Sequence, residues 1–66
     1  MKGTIKKILA IRGFGFIERE SEDEDLYFHW SKTQDDFYYL KVGDEVEFDL
    51  EKTKDKQQAI NVTSIF

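Results

Sequence analysis

The sequence predicts an all-β fold, a small antiparallel barrel of five short strands, closed or nearly closed. Three observations predict it. Apolar and polar residues alternate at a period of two, proline is absent, and no stretch of helical length carries apolar residues at a period near 3.6. Five strands without a helix must cover their own apolar faces, and in 66 residues closure is the economical way to do it. One domain is expected, spanning residues 1–66. A chain of this size buries only about 60% of its unfolded surface, and with no cysteine it has no disulfide to compensate.

The elements follow in order. "KGTIKKILAI" (2–11) reads as the first strand, with an unclear register that points to a bulge. "RGFGF" (12–16) and "LYFHW" (26–30) are the second and third strands, joined by a charged hairpin loop, "ERESEDED" (18–25). Residues 31–42 are irregular, with at most one short helical turn near Ser31–Gln34. Gly43 and Asp44 mark a turn. In "DEVEFDLE" (44–51), Val46, Phe48 and Leu50 alternate with acids, so this fourth strand is half-buried with an acidic outer face. "KTKDKQQ" (52–58) is a polar connection, and "QAINVTSIF" (58–66), rich in β-branched residues, is the last strand.

Side chains on a strand alternate between faces. Phe14 and Phe16 therefore share one face of the second strand, opposite Gly13, Gly15 and Ile17. Tyr27 and His29 share a face of the third, opposite Leu26 and Phe28. Ile17, Leu26, Phe28, Val46, Phe48 and Leu50 make a core, and the small Gly15 relieves crowding within it. Phe14, Phe16, Tyr27 and His29 are then left together on the outside of neighbouring strands. Aromatic residues on strands usually serve packing, but burying Phe14 and Phe16 would expose Ile17, and burying Tyr27 would expose Leu26 and Phe28. Four outward rings form a platform on which unpaired bases can stack, at roughly 1–3 kcal/mol per base.

Charge distribution supports that reading although the net charge is −4. Residues 1–17 carry Lys2, Lys6, Lys7 and Arg12 and no acid. Lys6, Lys7 and Arg12 lie beside the rings, where they can take phosphates. Single strands suit such a surface because their bases can be splayed onto rings.

At these residues the sequence resembles the cold-shock domain family. "RGFGFI" (12–17) is similar to the family's "KGFGFI", and "LYFHW" to its "VFVHF". "MKGTIKK" resembles the family's start, "HWSKTQ" its "HFSAIQ", "VGDEVEF" its fourth-strand segment and "AINVT" its "AANVT", so the likeness runs over nearly the whole chain. The resemblance implies an OB-type barrel that binds single-stranded RNA and DNA with weak sequence preference, often as an RNA chaperone, with no cofactor and no chemistry. Carried over by position, it places the stacking rings on Phe14, Phe16, Tyr27, His29 and Trp30, the basic contacts on Lys6 and Arg12, and a further loop aromatic on Phe37 or Tyr38. Three departures stand out. The family's Lys-Trp-Phe-Asn run is Lys6-Lys7-Ile8-Leu9 here, so a lysine replaces the stacking tryptophan. Trp30 stands where the family has phenylalanine, and "KDKQQ" (54–58) replaces a Gly-Pro element.

Other features read more plainly. "ERESEDED" lacks the glycine turn and oxygen spacing of a calcium loop and reads as a solvated block that repels phosphate at one end of the groove. His29 has no second base or carboxylate set converging on it, so no catalytic site and no enzyme are expected. The longest apolar run, Ile8–Ile11, is far too short for a membrane span. The absence of cysteine fits a reducing cytoplasm. A cytoplasmic monomer whose partner is single-stranded nucleic acid is expected. The competing reading is a protein-interaction barrel that has lost nucleic-acid binding, which the acidic balance and the missing tryptophan favour.

Overall fold

The computed structural model describes residues 1–20, 23–34 and 37–65. Residues 21–22, in the middle of the acidic loop, residues 35–36, and residue 66, the expected end of the last strand, lie outside the described residues. Five strands occur among the described residues: β1 (Lys2–Leu9), β2 (Phe14–Glu18), β3 (Leu26–His29), β4 (Glu45–Lys52) and β5 (Gln57–Ser64). They close into a barrel in the order β1-β2-β3-β5-β4. Two short 3-10 turns, Trp30–Lys32 and Phe37–Tyr39, lie between β3 and β4. The expected single helical turn near Ser31–Gln34 thus comes earlier and is followed by a second.

Closure accounts for the one departure from an antiparallel barrel. β1–β2, β2–β3, β1–β4 and β4–β5 are antiparallel, as expected. β3 and β5 run parallel, with Tyr27 opposite Gln58 and Phe28 opposite Ala59. Strands that follow one another can pair by a hairpin, but the seam joins strands on either side of β4, and the intervening chain reverses twice. The short loops do the rest. Gly13, at φ 79°, and Gly43, at φ 96°, hold the left-handed conformations of the turns before β2 and β4.

The core is Ile5, Ile17, Leu26, Phe28, Phe37, Leu40, Val46, Phe48, Ala59 and Val62, with Ile8 and Leu50 packed at its rim. The predicted inward residues of β2, β3 and β4 are all there, Leu50 only partly buried. Phe28 is its centre. Its ring lies over Gly15, where an added Cβ would stand 2.9 Å from Phe28 Cε1 and 2.5 Å from the Lys7 carbonyl oxygen. The carbonyl belongs to the β1 backbone paired with β2, so it cannot give way without moving a strand.

β1 holds the expected bulge. Ile5 faces Ile17, yet Lys7 faces Phe16, and the register shifts between them. The extra residue is Lys6, and it inverts the facing of the remainder of the strand. Ile5 and Ile8 point inward, while Lys7 and Leu9 join the outer face.

Two substitutions test this packing by urea unfolding. Phe28→Ala is expected to cost about 3–5 kcal/mol, as for a fully buried ring. Gly15→Ala is expected to cost about 1–3 kcal/mol through overpacking. A Gly15→Ala protein as stable as the parent would show that β1 and β2 are not held as described.

Candidate nucleic-acid interface

The outer face of β1, β2 and β3 is built in two rows. Directly opposed residues on neighbouring strands point to the same side. One row is Leu9, Phe14 and His29, and the other is Lys7, Phe16 and Tyr27. The second row continues across the parallel seam to Gln58. Gln58 Nε2 donates to Glu51 Oε1 at 2.6 Å, which marks where the face passes from aromatic to acidic.

Phe14, Phe16, Tyr27 and His29 are half-buried, because they cover one another rather than the core. The Phe14 and Phe16 ring centroids are 5.9 Å apart and nearly perpendicular, at 89°. Phe14 and Tyr27 stand 5.5 Å apart at 36°, and Phe16 and Tyr27 6.1 Å apart at 68°. These are edge and tilted contacts of the favourable kind. They fix the rings before any ligand arrives.

His29 and Trp30 form a second pair, 5.6 Å apart at 39°. The Ser31 backbone N–H donates to His29 Nδ1 at 3.3 Å, and Ser31 Oγ lies 2.9 Å from the same nitrogen. With Nδ1 accepting, the neutral imidazole carries its proton on Nε2, which can then donate to a ligand. Trp30 is not on the third strand, as "LYFHW" suggested. It opens a 3-10 turn, and its backbone N–H donates to the Gly13 carbonyl at 2.9 Å. Its indole lies on Gly13, where a Cβ would come within 2.6 Å of Trp30 Cδ1, and the residue is still 56% exposed. Alternation alone would have sent Trp30 inward; leaving the strand is what keeps it outside.

The predicted basic residues divide. Lys7, opposite Phe16, and Arg12, in the tight turn closed by the Arg12 and Gly13 N–H groups on the Leu9 carbonyl, are both exposed. Lys6 is exposed too, but its Nζ lies 3.4 Å from Asp25 Oδ2 and 3.9 Å from Glu18 Oε2. A phosphate at Lys6 has to compete with two carboxylates. Such exposed pairs are weak, about 0–1 kcal/mol, so the competition is mild.

The two loop aromatics also divide, and here one expectation is corrected. Phe37 is 3% exposed and packs on Phe28 with ring centroids 5.8 Å apart, so it belongs to the core and offers no face to a ligand. Tyr38 stands perpendicular to Phe37 and is 69% exposed. Adjacent residues in a tight turn cannot both point inward, and the more apolar ring took the core.

Sequence reasoning missed Leu9 and Gln58. Leu9 is half-buried beside Phe14 only because the bulge reverses β1, and the suspected bulge was the signal that could have found it. Gln58 joins the face through a parallel pairing that no local pattern announces. Among the described residues, no cluster of three metal-binding side chains occurs, and no helix is long and apolar enough to cross a membrane.

Comparison with known proteins agrees with this geometry. The family model of the 'Cold-shock' DNA-binding domain matches residues 1–65. The chain is 44% identical over 66 residues to the cold shock-like protein CspC of Bacillus cereus, covering 98% of this chain and 100% of that protein. It is 47% identical over 62 residues to the cold shock protein CspC of Bacillus subtilis strain 168, covering 92% of each. It is 38% identical over 65 residues to the major cold shock protein of Streptococcus pyogenes serotype M18, covering 97% of this chain and 96% of that one. With the five-stranded barrel, the outward rings and this near-complete match in hand, the chain belongs to the cold-shock domain family.

Proposed function

We propose that the outer face of β1–β3 binds single-stranded RNA and DNA with weak sequence preference, and that the protein acts as an RNA chaperone. The observation that carries this is the solvent-facing cluster of Phe14, Phe16 and Tyr27, no two of them more than 6.1 Å apart, on a barrel that already has a complete core. In this reading Phe14, Phe16, Tyr27, His29, Trp30 and Tyr38 take bases. Lys7 and Arg12 take phosphates, and Lys6 does so once it leaves its carboxylates. Leu9 extends the apolar surface beside Phe14.

Weak preference follows from stacking, since every base has a π-face. Chaperone action follows from magnitudes. Each base captured on a ring yields roughly 1–3 kcal/mol, and each stacked base-pair step surrendered costs on the order of 1.4 kcal/mol. A few captured bases therefore balance the opening of a short hairpin, and no energy source or cofactor is needed. The reading involves no catalysis. It takes the protein to work as a monomer in the cytoplasm, where single-stranded RNA is found.

Two measurements test it. Phe16→Ala and Tyr27→Ala are each expected to weaken binding of a short single strand by roughly 1–3 kcal/mol, with folding retained by circular dichroism. If either variant unfolds while Phe28→Ala is benign, the assignment of faces is inverted.

Lys7 is the sharper probe, because it sits opposite Phe16 in place of a ring. Lys7→Trp is expected to raise affinity and to reduce the log–log salt slope of binding by about 0.7, the share of one phosphate contact on a single strand. Trp30 fluorescence and calorimetry read both quantities. Absence of binding in both forms would replace the proposal with the interaction-barrel reading. Binding with affinity and slope unchanged would put Lys7 outside the site.

A further inference from the structure

Two carboxylates that the β2–β3 hairpin sets side by side converge on Lys6. Ile17 and Leu26 are the final pair of that ladder, so Glu18 and Asp25 leave it together at the two ends of the acidic loop. Like charges brought together across a sheet repel. The bulge answers them. Ile5 lies opposite Ile17 and Lys7 opposite Phe16, and the extra residue between these registers is Lys6. Its Nζ reaches Asp25 Oδ2 at 3.4 Å and Glu18 Oε2 at 3.9 Å. Asp25 is the nearer partner and the less exposed, its side chain 34% exposed against 60% for Glu18. Both ion pairs among the described residues are made by Lys6, and Lys7 and Arg12 enter neither. One cation and two carboxylates leave this cluster one unit negative.

Resting on the function proposed above, we propose that Glu18 and Asp25 are a built-in competitor of the strand, an autoinhibitory contact that withholds Lys6 from phosphate. The argument is one of charge. A free lysine neutralises a phosphate and lets the strand shed the cation condensed on it, about 0.7 per contact on a single strand. Lys6 with both carboxylates in place is more than neutralised already. A phosphate beside it therefore keeps its cation and gains little. Lys7 and Arg12 meet no such competitor in the described structure, so they supply the phosphate contacts of the ring face. The competitor is also weak. Ion pairs between exposed side chains are worth a few-fold in an equilibrium at most. It lowers affinity without closing the site, and it does so most at low salt, where phosphate attraction is strongest. Affinity is thereby left to the rings, and a chaperone gains by a grip that also lets go.

The test is a double-mutant cycle on the whole chain with a uridine hexamer, followed by Trp30 fluorescence and calorimetry over a range of salt. The variant with Glu18→Gln and Asp25→Asn is expected to bind about two- to fivefold tighter than the parent at low salt. Its log–log salt slope should steepen by up to about 0.7 as the Lys6 contact becomes complete. The two curves should converge at high salt, where the ion pairs are screened. Asp25→Asn alone is expected to bring the larger share. Removing two acids also makes the whole protein less acidic, so the same pair of substitutions is made in a Lys6→Gln chain. There the gain is expected to be smaller by about twofold or more. All the changes are at the exposed end of the hairpin, and thermal unfolding checks that folding is retained. Equal gains in the two backgrounds would show that the carboxylates act only as diffuse charge and would overturn the proposal. So would a parent that binds and a double variant that binds no tighter. Binding by none of the four forms would overturn the nucleic-acid reading and this contact with it, whereas binding by all four without coupling to Lys6 overturns the contact alone.

Discussion

The packing of Phe28 on Gly15 is the contact on which the rest of the molecule depends. β2 and β3 are the shortest strands of the barrel, and together they must supply both a share of its core and five of the six rings that its strands carry, Phe48 of β4 being the sixth. A strand offers only two faces. With Phe28 taking the inner position beneath Gly15, the inner face there pairs one large ring with a residue that has no side chain, and Ile17 and Leu26 fill the rest. Phe14 and Phe16, on either side of Gly15, are then excluded from the interior by geometry rather than by polarity. The same step orients Tyr27 and His29, because they alternate with Phe28.

That dependence explains what the sequence made readable. Alternation within "RGFGFI" and "LYFHW" was enough to assign every inward and outward residue of β2 and β3. It also found the acidic outer face of β4. Reading failed where the period was broken or where the cause was not local. The Lys6 bulge hid the true facing of Leu9. The choice between Phe37 and Tyr38 depended on which ring could reach Phe28 across the barrel, and a turn of three residues carries no period to reveal it. Trp30 was placed outside by resemblance, while its physical reason, a 3-10 turn resting on Gly13, appears only in three dimensions. The parallel β3–β5 seam is invisible to any local pattern, and with it Gln58.

Charge follows a different logic from packing. The chain is acidic overall, yet its charges are sorted by element. β1 and the turn after it are basic, the β4 outer face and the loop after β2 are acidic, and the β4–β5 loop presents lysines again. On the proposed function, an anionic polymer is thereby discouraged from the acidic faces and admitted beside the basic first strand and turn. Lys6 sits at the border between these regions, bonded to Glu18 and Asp25. Its weak pairs keep that border tight in the free protein without fixing it, because partners of comparable charge can exchange at little net cost.

The exchange of a ring for Lys7 alters the balance between the two sources of affinity. Stacking is short-ranged and insensitive to salt, whereas a lysine acts by counterion release and fades as salt rises. At the position facing Phe16, this chain has given up the first for the second. A lysine's mobile stem also constrains a base less than an indole does, so on the proposed function the strand is held there by its backbone and left free in its bases. Leu9, brought outward by the bulge, returns some apolar contact without a π-face to order a base upon it. Order at the platform is therefore greatest around Phe14, Phe16 and Tyr27, whose mutual edge contacts hold them in place, and it decreases toward β1.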